Sequence, residues 1–232
     1  MSLRRGPLLA LGLAAAIWGP LACAQAPAPP LGELKPLGQD RFQIGRIVVD
    51  KRAGTFIIPG RVHVLGKPLE YLATSPGGMK GYETLLEVDA TGSEFNLACI
   101  LLGLERDPNQ VQFQQFSRVP LVGRRIAIYV AWSEGGKRRQ ISAADALLNP
   151  DTGVKPESVE WVYTGAPLSR PDGPFAADLT GTLIGFVHDA NSVMEAAVGL
   201  GIGAYGSVRG NATLPPEGSA IELIIEVAPV KK

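Results

Sequence analysis

The sequence predicts an α+β fold. Short, largely antiparallel strands pack around one buried central helix at about residues 92–103, with few other short helices. Three observations predict it. The chain carries 28 glycines and 19 prolines, which implies many turns and short elements. The longest apolar run beyond the N-terminal leader lies in KGYETLLEVDATGSEFNLACILLG, from Lys80 to Gly103. Strand patterns dominate, and the few helical ones do not alternate regularly with them, which argues against a doubly wound sheet.

The central helix has the clearest start in the chain. Thr91 and Glu94 have capping-box spacing, a hydroxyl and a carboxylate that satisfy free N–H groups of the first turn. Ala90 and Phe95 occupy the staple positions. Phe95, Ala98, Ile100, Leu101, Leu102 and Leu104 then cover more than one side of the helix, the pattern of a buried element. Gly103 is placed to end it in a left-handed conformation, and Pro108 prevents a restart. Cys99 lies inside this apolar run and reads as a buried structural thiol.

Strand candidates occupy the rest in order. Ile44–Asp50 and Thr55–Ile58 are joined through a Lys-Arg-Ala-Gly turn. Arg61–Leu65 and Leu69–Thr74 follow, then a turn at Ser75–Gly78 and the strand Thr84–Asp89. In Arg125–Ser133, Ile126, Ile128, Val130 and Trp132 share one face, the period-2 signature of a half-buried strand. Glu134–Gly136 turns it back into Lys137–Ile141. Ser142–Asp145 starts a short helix stopped by Asn149-Pro150, and residues 190–198 form another. Ser158–Thr164, Thr182–His188 and Ala220–Val227 read as strands, with a Pro- and Gly-rich loop at Leu168–Ala177.

The N-terminus sets the compartment. Arg4 and Arg5 precede an apolar stretch from Pro7 to Leu21 and then small residues, the layout of a secretory signal peptide over residues 1–24. The other reading places a lipid on Cys23, although Pro20 weakens the lipobox. Residues 25–40 read as a Pro-rich tether and 41–232 as one globular domain. Without the leader, which holds two arginines and no acid, the acids exceed the bases by two. That balance argues against general binding to nucleic acid or anionic membrane. Any membrane contact runs through the N-terminal anchor.

No catalytic motif stands out. The only histidines are His63 and His188, and HExxH, CxxC, GxSxG, SxxK and Walker spacings are absent. No metal and no cofactor are therefore expected. Gly201–Gly206 spells GxGxxG, but no helix pattern follows it, so it reads as a glycine turn. His63, between two valines, reads as an ordinary strand position. Tyr82-Glu83 is the most informative polar pair, entering the core strand behind a glycine-rich turn. Glu83 reads there as a hydrogen-bonded brace, with a ligand contact as the other possibility.

Several segments, taken in order, resemble the YdjY-domain family of exported bacterial proteins. They are Leu69–Ala73, Lys80–Leu86, the helix running into Leu101–Leu104, the strand ending near Trp132, Trp161–Gly165, Ala177-Asp178 and Pro215–Gly218. The resemblance spans about residues 42–228. Many relatives carry His where this chain has Tyr82, so no role that needs an imidazole carries over to that position. A ferredoxin-like label attached to one namesake does not carry over either. Iron–sulfur clusters need several thiolates, and only Cys99 remains beyond the leader.

The functional expectation is an exported, non-catalytic domain, periplasmic or secreted, that binds a small ligand or an envelope protein. Tyr82, Glu83, Trp132, Trp161 and Asp178 are the candidate contact residues. The alternative is an envelope hydrolase using Glu83 or Asp178 with His188, since a carboxylate and an imidazole sharing a cleft make a general-base site.

Overall fold

The computed structural model describes residues 32–117, 119–149, 159–200 and 207–227. The leader with Cys23, the first part of the tether and the Gly201–Gly206 run lie outside the described residues.

Two hairpin strands come first, β1 (Leu34–Gly38) and β2 (Arg41–Ile44), followed by β3 (Ile47–Asp50) and β4 (Thr55–Val62). The predicted strand Ile44–Asp50 is broken at Gly45, whose φ of 52° turns β2 back onto β3. The predicted tether gives up Leu34–Gly38 to β1, which pairs with β2. Next come β5 (Tyr71–Thr74), β6 (Thr84–Val88), α1 (Gly92–Leu101), β7 (Arg125–Glu134) and β8 (Lys137–Ser142). The chain ends with β9 (Leu147–Leu148), β10 (Trp161–Tyr163), α2 (Ala176–Thr180), β11 (Thr182–Gly185), β12 (Met194–Ala196), β13 (Arg209–Gly210) and β14 (Ala220–Val227).

Eight of these strands close into a barrel in the order β4, β14, β7, β10, β12, β11, β5, β6 and back to β4. Most neighbours are antiparallel; β11–β12 and β5–β6 are parallel. One edge of β4 serves two partners. Val48–Asp50 of β3 pair with Thr55–Ile57, and Leu86–Val88 of β6 pair with Gly60–Val62. Pro59 sits at the handover. Its carbonyl accepts the Asp89 N–H at 2.9 Å on the β6 side, so the N–H that proline lacks falls on the edge where partners change. In the same way β7 pairs first with β10 and then with β8.

The interior follows the strand period. Phe56, Ile58 and Val62 of β4, Ile126, Ile128 and Val130 of β7, and Leu223 and Ile225 of β14 are buried in one apolar cluster. This is a mostly β barrel, not an α+β fold around a central helix, and that expectation is corrected here. α1 lies against β3, β11 and α2 and covers the core without forming its centre. Phe95 meets Phe56 edge to face at 5.4 Å, and Ala98 and Cys99 are buried. Ile100 is half exposed, and Leu97, Leu101 and Leu102 are only partly buried. The apolar run misled because it straddles the helix end: Leu104, fully buried, already belongs to the departing chain.

The helix ends themselves are as the residues dictate. Thr91 and Glu94 form both halves of the capping box, and Gly103 is left-handed. Two other short helices are corrected. Residues 143–146 make a turn that leads into β9, with the Ser142 hydroxyl accepting the Asp145 N–H. Residues 194–196 of the second are the strand β12, and α2 takes part of the Pro- and Gly-rich loop.

The barrel interior, and not α1, therefore carries the stability. Ile58→Ala is expected to cost about 2–5 kcal/mol through lost burial and cavity formation. Ile100→Ala should stay within about 0.5 kcal/mol. Urea unfolding of the two variants checks the ordering; the reverse ordering would return the helix to the centre.

Candidate functional site

A parallel strand pair ordinarily needs a crossover of about a dozen residues or more. Here β5 reaches β6 through residues 75–83, and β11 reaches β12 through residues 186–193. Both crossovers are shorter than usual, and buried polar groups, Glu70 and Glu195 among them, lie against them.

The first crossover holds Lys80, Tyr82 and Glu83. A single 3₁₀ turn at Gly81–Glu83 projects Tyr82 outward, where it is well exposed. The Lys80 ammonium lies 2.6 Å from Glu83 Oε1, donates to the Tyr82 hydroxyl at 3.3 Å and sits over the rings of Tyr71 and Tyr82. Burial works against the lysine charge, but the hydrogen bonds to Glu83 and Tyr82 outweigh it and push its pKa up. Glu83 is thus engaged as an ion-paired brace of the turn.

The second crossover packs against acids. Glu195 of β12 is fully buried; its Oε1 accepts the Asp189 N–H at 2.9 Å, and its Oε2 has no partner. The carboxyl lies flat on Gly185, where a Cβ would meet Oε1 at 2.5 Å. Asp189 in turn accepts the Tyr71 hydroxyl at 3.0 Å. Glu70, also buried, accepts from Gln115 Nε2 at 3.0 Å. Burial pushes the carboxyl of Glu195 well above the ordinary glutamate range. It raises Glu70 too, helped by the nearby charge of Glu83, and raises the Tyr71 phenol.

His188, within the second crossover, has a left-handed φ of 52°, strained for a side-chain-bearing residue. Its ring is 1% exposed, bonds the Ala196 carbonyl through Nε2 at 2.9 Å and stands edge-on to Phe113. Burial lowers its pKa, with the bond to Ala196 opposing, and this favours the neutral ring.

Asp178 lies elsewhere. Its Oδ1 accepts the Ser93 N–H at 2.7 Å and its Oδ2 accepts the Ser93 hydroxyl, so both oxygens tie α2 to the first turn of α1. It borders a half-open cavity of about 390 Å3, which Arg46, Met79, Asp89 and Thr91 also line. His188 and Glu83 do not line that cavity. Trp132 and Trp161 both belong to the main core cluster, Trp132 at the edge of a groove with Arg138 and Glu222. The candidate contact residues therefore fall into separate places, with Tyr82 and Glu83 together and Asp178, Trp132 and Trp161 apart from them.

Sequence reasoning missed Glu195, Glu70 and Tyr71 as members of this site. A signal was present: Glu195 is a lone acid inside Val193-Met194-Glu195-Ala196-Ala197, a run otherwise apolar. It also missed Glu87. Its Oε2 pairs with Arg61 and lies 3.5 Å from His63 Nδ1, while its Oε1 accepts the Gly77 N–H at 2.8 Å. His63 is not a strand residue: it lies just past the end of β4, with its Nδ1 beside the Arg61–Glu87 pair on the β4–β6 seam. Among the described residues, no three His, Cys, Asp or Glu side chains converge to hold a metal ion.

Fold and site together define a small closed barrel of mixed strand direction, its interior filled by apolar side chains and its buried acids gathered around two tight crossovers. The family model described as the YdjY domain matches residues 47–226, and the chain belongs to that family. No curated protein and no solved structure matches the chain.

Two outcomes follow from this geometry. Asp178→Ala removes acceptors from the first turn of α1 and should cost about 1–2 kcal/mol in a thermal or urea melt. An unchanged melt would show that the Ser93 contact adds nothing. For Glu195 the folded pKa lies above the unfolded one. Its contribution is therefore complete below the ordinary glutamate value and is lost as pH rises toward the folded pKa. Stability of the wild type should fall over that range relative to Glu195→Gln, measured as urea midpoints at a series of pH values. Parallel curves would show that Glu195 is ionised in the native state.

Proposed function

We propose that this YdjY-domain chain is an exported, non-catalytic binding domain, periplasmic or secreted, whose ligand enters the cavity between the 75–79 turn and the start of α1. The observation that carries this reading is the mouth of that cavity. Arg46 and Asp89 stand there largely exposed, their charges 3.9 Å apart, a loose pair that adds little stability. Opposite charges held so weakly suit a small ligand bearing both signs, which can replace the contact with two of its own. Met79, the most exposed large apolar side chain at the rim, offers an adaptable apolar contact beside them. Export rests on the paired arginines, apolar stretch and small residues of the first 24 positions, with lipid attachment at Cys23 as the anchored variant.

The hydrolase alternative has less support. The His188 ring is enclosed, its Nε2 is held by a backbone carbonyl, and both oxygens of Asp178 are engaged with Ser93. Glu83 is engaged with Lys80. A general base needs a free lone pair within reach of substrate.

Titration calorimetry with zwitterionic probes, free amino acids and dipeptides, tests the binding reading. Saturable heat is expected with the wild type and a loss of it with Arg46→Ala and with Asp89→Ala, at unchanged melting temperature. No heat with any of these probes, or heat that both variants retain, would remove the cavity as the binding site.

A further inference from the structure

Residues 110–117 cross the outside of the barrel wall made by β11 and β12. They hold no regular structure and make few bonds among themselves, chiefly Ser117 N–H to the Gln114 carbonyl at 3.0 Å. What fixes them is the second crossover and its neighbour β5. The Phe116 N–H donates to the Val187 carbonyl at 3.0 Å, the Phe113 ring stands against His188 at 5.5 Å, and Gln115 donates to Glu70. Phe113 also packs on a small apolar cluster of Leu121, Val162 and Ala197, separate from the main core.

The residues that hold this segment are joined directly to Glu195. Val187 and His188 precede Asp189, whose N–H bonds the Glu195 carboxyl. The ionisable groups beside Glu195 are Asp189 and His188 of the crossover and Tyr71 of β5; behind Tyr71 stand Glu70, just before β5, and Lys80 of the first crossover, its ammonium over the Tyr71 ring. Val162 of β10, opposite Glu195 in register, is apolar, and Gln115 of the covering segment is uncharged. Of these neighbours, Asp189 and Glu70 are acids and His188 is enclosed. Among the described residues, the one cation near them, the Lys80 ammonium, is engaged by Glu83 and does not act on Glu195.

We propose that residues 110–117 form a pH-operated cover: a protonated Glu195 keeps the crossover 186–190 seated and the cover shut, and ionisation of Glu195 beside Asp189 releases both. A charge on Glu195 would stand next to the Asp189 carboxyl in a fully buried site, where Oε1 accepts the Asp189 N–H and the His188 N–H and Ser192 hydroxyl lie beside the carboxyl without offsetting the burial. Hydrating it requires the crossover to move out. That movement breaks the Val187–Phe116 hydrogen bond, withdraws His188 from Phe113 and uncovers Val162 and Ala197. The raised proton affinity of Glu195 sets the direction, shut in acid and open in alkali.

Hydrogen exchange of the full chain, followed by mass spectrometry at several pH values and corrected for intrinsic rates, tests the cover. In the wild type, protection of 110–117 should fall about tenfold per pH unit between the ordinary glutamate value and the raised folded pKa, while β4, β7 and β14 hold theirs. In Glu195→Gln, protection should not change with pH. Should that variant fail to fold, Asp189→Asn removes the acidic neighbour, lowers the folded Glu195 pKa and should shrink the fall in protection. A pH-independent segment in the wild type, the same fall in Glu195→Gln, or a fall undiminished in Asp189→Asn would overturn the proposal. Loss of protection across the whole barrel at the same pH would overturn it as well.

Discussion

The pairing of β4 with β6 is the constraint on which the rest of the structure depends. Without it the sheet would end in two open edges, and its apolar face would lie in water. With it, eight strands share one enclosed core and no edge of the ring is left unpaired. The seam is only three residue pairs long, Gly60–Val62 against Leu86–Val88. It is reinforced from outside by the Arg61–Glu87 pair, with His63 beside it and the Gly77 N–H on the other carboxylate oxygen. Glu87 thereby links the barrel seam to the turn that begins the first crossover. Position and charge at the cavity mouth depend on the same closure, because that turn forms one wall of the cavity.

Much of the local structure was legible in the residues. The capping box of α1, the inward face of β7 and the full extent of β14 follow from hydroxyl–carboxylate spacing and period-2 alternation, which are local properties. Closure was not legible, because it is set by which edges meet. Pro59-Gly60 reads as a break between two strands, and only tertiary pairing turns it into the handover point of one long strand. Residues 190–198 read as a helix because Met194, Glu195 and the two alanines are good helix formers. Parallel pairing with β11 and antiparallel pairing with β10 override that preference.

The polar residues divide along the same line. Tyr82 and Glu83 stood out because they follow a conspicuous turn, and the structure does place them together on one crossover. The tryptophans drew attention as candidate contacts, yet their place in the strand alternation puts them in the core. Asp178 came from the family resemblance, and its carboxylate joins two helices whose contact no sequence period records. Glu195 was hidden within an apolar run, where a buried acid becomes visible only once the strand is known to be covered on its outer face as well.

The position of β14 has a consequence for how the chain comes to be folded. This last strand lies between β4 and β7 and pairs with both along most of its length. A chain that has emerged only as far as β13 has β4 and β7 in hand but nothing to bridge them. The core therefore cannot be sealed until residues 220–227 have left the ribosome, and the contacts that seal it join opposite ends of the sequence. A nascent chain with that topology cannot close its barrel before its last described strand has been made.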